Sequence, residues 1–302
     1  MRIVAALGGN ALLKRGERPD SDIQEHNVAE AVAALAPLAG EHELIVTHGN
    51  GPQIGVLAIE SADDRQLTHP YPLDTLGAET QGLIGYWLSQ ELHNRLPERD
   101  VAAVVTQTLV DVDDPAFDRP TKFVGPVYDA GTAAGLADER GWTIAADGDR
   151  WRRVVASPEP IEIVETGVVR GLMDAGVVVV CAGGGGVPVV RTPSGTLRGV
   201  EAVIDKDLTS ALLAIELGAD AFLVLTDVDG VYRDFDTPTA SLIERTTPAD
   251  LRALGFPDGS MGPKVEAVCR FVERAGGVAA IGALTDAPGM LAGERGTRVQ
   301  PD

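Results

Sequence analysis

GVEAVIDKDLTSALLA, residues 199–214, sets Lys206 between Asp205 and Asp207 where an apolar run turns into a helical pattern. Residues 200–204 are nearly all apolar, and Leu208, Ala211, Leu212 and Ile215 recur at the spacing of one helix face. Helix N-termini present free N–H groups to anions, so a lysine at that point suits a phosphate. The plainer reading is a surface lysine paired with its neighbouring aspartates, and such pairs are common and weak. Lysine is scarce, however: of 25 basic residues only Lys14, Lys122, Lys206 and Lys264 are lysines. Three of these stand in glycine- or proline-marked contexts, PTKFVGP, VIDKDL and GSMGPKVE, whereas Lys14 in LLKRGER reads as a solvated helix end.

Upstream, the chain uses one grammar twice. Residues 3–7 read as a buried strand running into Gly8-Gly9-Asn10, and 43–47 as a second strand running into His48-Gly49-Asn50-Gly51-Pro52, with Pro52 placed to open a helix. In one parallel sheet both turns line the same edge, where open α/β sheets bind ligands. Amphipathic or helical patterns cover 22–39, 73–96 and 161–173, and further strands are expected at 101–106, 177–181, 221–225 and, last in the chain, 278–281. Four glycines at 183–186 point to close approach by a ligand or by another backbone. Thr226-Asp227-Val228-Asp229-Gly230-Val231-Tyr232 favours a turn with ribose or base contacts over a metal site, because no calcium-loop spacing follows. Gly259 to Lys264 opens a helix that carries Val265, Val268, Cys269 and Val272 on one face.

Residues 111–156 break the strand–helix alternation. Phe117, Phe123, Tyr128, Trp142, Ile144 and Trp151 read as a small core there, which makes the region an inserted subdomain or lid rather than a linker. Lys122 lies inside it and could swing a charge over a site.

The 302 residues can bury a large core, and a net charge of −20 argues against nucleic acid or an acidic membrane as partner. Cys181 and Cys269 stand far apart in apolar contexts and read as buried free thiols, which fits a cytoplasmic protein. The opening MRIVAALGGN has too short an apolar run for a signal peptide, and the longest uncharged stretch, 176–190, is shorter than a membrane span. P-loop, protein-kinase, zinc-protease and serine-elbow patterns are all missing. Of five histidines, only His48 lies in a glycine turn. Lysines and glycine turns without a general base suit phosphoryl transfer to an oxyanion, which asks for alignment and positive charge rather than proton removal.

LGGNAL (7–12), THGNGPQ (47–53), AFDRPTKFVGP (116–126), GDRWRRVVASPEP (148–160), CAGGGGVPVVR (181–191), residues 199–214, LTDVDGVY (225–232) and GSMGPKVEA (259–267) resemble carbamate kinases of the amino-acid-kinase fold, over essentially the whole chain. Phe123 departs from the pattern, where proline is expected. The resemblance implies a three-layer αβα sandwich with an open, mainly parallel sheet and a protruding insertion. It implies one domain, with an acceptor-binding lobe at about 1–198 and a nucleotide-binding lobe at about 199–302, and a homodimer acting on small molecules. ATP, with Mg²⁺ carried on its phosphates, would react reversibly with carbamate, as the ATP-forming last step of arginine fermentation. Lys206, Lys264 and Lys122 would contact phosphoryl groups, with Asp207 holding the lysines. Asn10, Gly8, Gly9, Gly49, Asn50 and Gly51 would hold carbamate and phosphoryl oxygens. Thr226, Asp227, Tyr232, Met261, Gly262 and Lys264 would contact the nucleotide, and no protein metal site is implied. A related carboxylate kinase, such as an acetylglutamate kinase, and a non-catalytic nucleotide-binding regulator are the alternatives.

Overall fold

The computed structural model describes residues 1–14, 16–256 and 261–301, so the reading of Gly259 and Ser260 as a helix opening lies outside the described residues. Among the described residues the centre is an eight-stranded sheet. Parallel strands follow one another in space as Val101–Ala103, Val178–Val180, Glu43–His48, Arg2–Leu7, Ala221–Thr226 and Val278–Ala283. Thr297–Val299 adds antiparallel, and Arg245–Thr246 ends that side. The first strand thus lies between the second and one from late in the chain, and the strand order reverses there. Crevices at such switch points, beyond the carboxyl ends of the strands, are where open α/β sheets hold ligands.

The near-continuous apolar strands suit a sheet covered on both faces. Val4, Ala6, Phe222 and Val224 point to one face, where Lys206–Leu217, Met261–Ala275 and Thr166–Asp174 pack. Ile3, Ala5, Leu7, Leu223 and Leu225 point to the other, covered by Ser21–Glu41, Leu73–Arg95 and Ala287–Ala292. This is the expected three-layer αβα arrangement. Cys181 and Cys269 are buried and free. No described helix is long and apolar enough to cross a membrane.

Several local expectations are corrected. The strand expected at 101–106 stops at Ala103, and the chain then feeds Gln107–Leu109 into a separate four-stranded sheet with Leu197–Gly199, Val187–Arg191 and Glu162–Ile163. The helix expected at 161–173 begins only at Thr166, because Glu162–Ile163 pairs in that sheet. Val278–Ala283 is not the last strand, since the tail returns as Thr297–Val299.

Within 111–156, Lys122–Tyr128, Arg150–Val155 and Ile144–Asp147 form an antiparallel three-stranded sheet beside the helix Ala130–Arg140. The aromatic residues do not form its core as expected. Phe117 packs against Val110, Val190 and Ile204, Trp151 is exposed, and the Arg140 and Arg153 guanidinium groups both stand over the Trp142 ring. Val124 and Val155 are buried instead, against Ile54, Ala58, Leu73, Leu76 and Val203.

The glycine run 183–186 is shaped by the protein's own groups. A Cβ on Gly183 would come within 2.3 Å of the His48 ring, and one on Gly184 within 2.1 Å of the Asn50 amide. At Gly185, with φ +89°, it would meet the Ile204 carbonyl oxygen at 2.6 Å. The Ile204 backbone closes that last position and its φ is left-handed, so Gly185→Ala should destabilise the protein by about 2 kcal/mol or more in urea unfolding. A midpoint equal to the parent's would show that the loop yields freely.

Candidate active site

Asp205 caps the helix Lys206–Leu217: its Oδ1 accepts hydrogen bonds from the backbone N–H groups of Asp207 at 2.9 Å and Leu208 at 3.3 Å. The cap takes two of the N–H groups at this helix end. What faces the crevice is side-chain charge. Lys206 Nζ donates to Asp207 Oδ1 at 2.5 Å, and Lys264 Nζ reaches Oδ2 of the same carboxylate at 3.2 Å. From the insertion, Lys122 Nζ spans the crevice to Asp205 Oδ2 at 2.7 Å. Three ammonium groups therefore gather around the Asp205 and Asp207 carboxylates, a local concentration of cations within a strongly acidic chain.

Burial alone would raise the Asp207 pKa, but the Lys206 and Lys264 ammoniums outweigh it and hold the carboxyl well below the usual range. Burial pulls Lys206 below its ordinary value despite Asp207. Lys264 is also pushed down by burial, but the attraction of Asp207 prevails and raises it. Asp207 thus keeps two desolvated cations close together.

The glycine turns close the other side of a cavity of about 190 Å³. Gly9, Gly49, Asn50 and Gly51 line it with Lys122, Lys206, Asp207 and Lys264. A Cβ on Gly49 would meet Gly9 N at 3.0 Å, so the two turns touch through backbone. Asn50 is fixed from behind, its Nδ2 donating to Thr80 Oγ1 at 2.9 Å. The Thr47 and Ser210 hydroxyls, 2.6 Å apart, join the end of the second strand to the lysine helix.

Other anticipated residues lie outside that lining. Gly8 N donates to the Leu225 carbonyl at 3.0 Å, and Asn10 Nδ2 donates to Asp227 Oδ2 at 2.8 Å, so the first turn is tied to the end of the strand Ala221–Thr226. Tyr232 pairs with Leu242 in a short ribbon, its ring 6.0 Å from that of Phe235. Met261, half-buried, packs on the core at the start of the helix that carries Gly262 and Lys264. Asp205, Ile204 and Gly184 belong to the cavity without having been singled out for it, although the Asp-Lys-Asp spacing and the glycine run marked their neighbourhoods. Phe123 also lines it, with the Arg152 guanidinium 5.8 Å from its ring.

His48 is fully buried, and its Nδ1–H donates to the Gly49 carbonyl at 2.9 Å. Desolvation drives its pKa down to about 4, and Lys206 adds to the effect. The ring is a neutral brace for the turn.

Lysines facing glycine turns at the carboxyl edge of an open α/β sheet, in a chain without a P-loop motif, mark a kinase of the P-loop-free class. The chain belongs to the amino acid kinase family, which matches residues 1–282, and within it to the carbamate kinases. It is 54% identical to the carbamate kinase of Rhizobium meliloti, over 98% of this chain and 92% of that protein. The carbamate kinase of Thermococcus kodakarensis is 46% identical over 99% of this chain and 98% of its own. Among solved structures, carbamate kinase from Giardia lamblia bound to AMP-PNP superposes with a TM-score of 0.91 at 38% identity, covering 100% of this chain and 98% of that one. An isopentenyl phosphate kinase of T. acidophilum, 15% identical with a TM-score of 0.57, shares the fold alone.

Two measurements check these electrostatics. As pH falls below 6.5 the unfolded chain protonates His48 before the folded one does, so stability should drop by about 3 kcal/mol between pH 6.5 and about 4 from this group. Ring ¹⁵N spectra should show a neutral His48 down to that lower limit; protonation near 6.5 would overturn the assignment. Asp207→Asn leaves the buried Lys206 and half-buried Lys264 ammoniums without their shared anion, and should cost about 3 kcal/mol in urea unfolding.

Proposed function

We propose that the site catalyses reversible phosphoryl transfer between ATP and carbamate, giving ADP and carbamoyl phosphate. The observation that carries this reading is the arrangement of Lys206 and Lys264 on one Asp207 carboxylate, with Lys122 opposite them across a cavity floored by two glycine turns. Close likeness to carbamate kinases over nearly the whole chain supports carbamate as the acceptor.

Carbamate is already an oxyanion. Its oxygen attacks the terminal phosphorus as the bond to the ADP oxygen breaks, and no proton has to move. The neutral, buried His48 is therefore not needed as a base. Donor, acceptor and transferring group are all anionic, and charge builds on the departing ADP oxygen during transfer. Lys206 and Lys264 offset that charge from one side, held by Asp207. Lys122 exchanges Asp205 for phosphoryl oxygens from the other. Gly8, Gly9, Asn10, Gly49, Asn50 and Gly51 orient the carbamate and phosphoryl oxygens. Thr226, Asp227, Tyr232, Met261 and Gly262 contact the nucleotide along the end of the strand Ala221–Thr226 and the Lys264 helix.

No cluster of three or more histidines, cysteines or carboxylates that could hold a metal occurs among the described residues, and lysines engage Asp205 and Asp207. That donor set fits Mg²⁺ held mainly by the nucleotide's phosphates, where it neutralises charge and fixes their geometry. The same proposal takes residues about 1–198 as the acceptor lobe, 199–302 as the nucleotide lobe and 111–156 as a lid. It takes the protein as a cytoplasmic homodimer serving the ATP-forming end of arginine fermentation, a role supported by the resemblance to carbamate kinases.

The test is ATP formation from ADP, Mg²⁺ and carbamoyl phosphate. Lys206→Ala, Lys264→Ala and Lys122→Ala should each lower kcat about 100-fold or more while retaining the fold. ATP formed only from another acylphosphate, such as acetylglutamyl phosphate, would transfer the acceptor assignment to that carboxylate. Nucleotide binding without turnover of any acylphosphate would leave a regulator.

A further inference from the structure

The strand that carries Lys122 rests on the helix Gly51–Asp63 through a backbone-to-backbone contact. A Cβ on Gly55 would stand 2.3 Å from Gly125 Cα and 2.7 Å from Gly125 N. Gly125 has φ +73°, and the pairing of Lys122–Tyr128 with Arg150–Val155 shifts register between Val124 and Tyr128. Immediately before it, Val124 is buried among Ile54, Ala58 and Leu76. The same helix, one turn earlier, presents Gly51 and Pro52 to the cavity. One rigid element therefore lines the cavity at its start and, through Gly55, sets how closely the insertion approaches.

We infer that Gly55 and Gly125 are positioning residues for phosphoryl transfer: their contact fixes the reach of Lys122 into the cavity. This rests on the reading of Lys122 as a phosphoryl-contacting lysine. An ordinary carbon–carbon contact is about 3.5–4.0 Å, so alanine at position 55 makes the Lys122 strand retreat by more than about 1 Å. The 2.7 Å contact between Lys122 and Asp205 has no such slack, and a misplacement of that size at a reacting centre lowers rate by about 100-fold. The three atoms nearest a Cβ at Gly55 all belong to Gly125, not to the lysine helix or the residues proposed for the nucleotide, so KM for ADP should hold. Alanine also favours helix over glycine, so at a merely structural, uncrowded position the change would raise Tm and leave kcat alone.

The experiment is a double-mutant cycle on the full chain, reading kcat and KM for ATP formation from ADP and carbamoyl phosphate. Gly55→Ala should lower kcat about 100-fold with KM for ADP within about twofold. In a Lys122→Ala background the same change should lower kcat no further, because the positioned group is gone. Val124→Ala loosens the seam without any clash, and should show the same dependence on Lys122 to a smaller degree; it answers the question even if Gly55→Ala folds poorly. Losses that multiply in the double variants, or parental kcat in both seam variants, would overturn the inference. Parental kcat in Lys122→Ala would overturn the reading of that lysine, and the inference with it, whereas an inactive Lys122→Ala beside fully active seam variants would sink the inference alone.

Discussion

Two ammonium groups on one buried carboxylate are the constraint around which this molecule is arranged. Lys206 and Lys264 are drawn close only because Asp207 stands between them. Without it, desolvation and mutual repulsion would drive protons off one or both. With it, the cluster keeps its ammonium groups together at low dielectric, which is the condition under which a lysine acts strongly on a phosphoryl group. The Asp205 cap contributes indirectly. By satisfying the N–H groups of Asp207 and Leu208 it fixes the first turn of the helix, and so the direction in which Lys206 and Asp207 project.

Everything else in the fold delivers groups to that cluster from different parts of the chain. The parallel strands bring the turns at Gly8-Gly9 and Gly49-Asn50-Gly51 to one edge, where backbone meets backbone. The four glycines at 183–186 exist because His48, Asn50, Ile204 and Thr108 crowd them, leaving no room for side chains. Lys264 arrives on a separate helix, Met261–Ala275, that packs against the Lys206 helix over Phe222 and Phe271. The site is therefore incomplete until strands from both ends of the chain have paired.

The central strands were legible because they are buried on both faces, which writes them as unbroken apolar runs such as IVAAL and AFLVLT. Short strands carry no comparable signal. Gln107–Leu109 and Glu162–Ile163 owe their state to partners far away in the chain, so the separate four-stranded sheet could not be read from local pattern. The aromatic residues of the insertion misled for a related reason: a three-stranded sheet has too little interior for them, and arginines cover Trp142 instead. Lys122, Lys206 and Lys264 stood out through scarcity and their glycine or proline neighbours. Asp205 was visible as a neighbour of Lys206, but its bond to Lys122 joins residues 83 apart and only the folded chain reveals it.

The division between arginine and lysine follows the same physics. Arginines here act largely as planar forks on carboxylates at or near the surface: Arg2 bridges Glu43 and Asp174, Arg140 holds Asp63, and Arg252 spans Glu266 and Glu273. A fork suits a partner whose geometry stays put. A phosphoryl group in flight does not, because its oxygens sweep from donor towards acceptor while the charge on them is redistributed. A compact ammonium held at a fixed reach can still turn its three donors to follow that motion, without rebuilding a bidentate geometry. That a chain with 21 arginines among its 25 basic residues places three of its four lysines around one cavity is what such a requirement predicts.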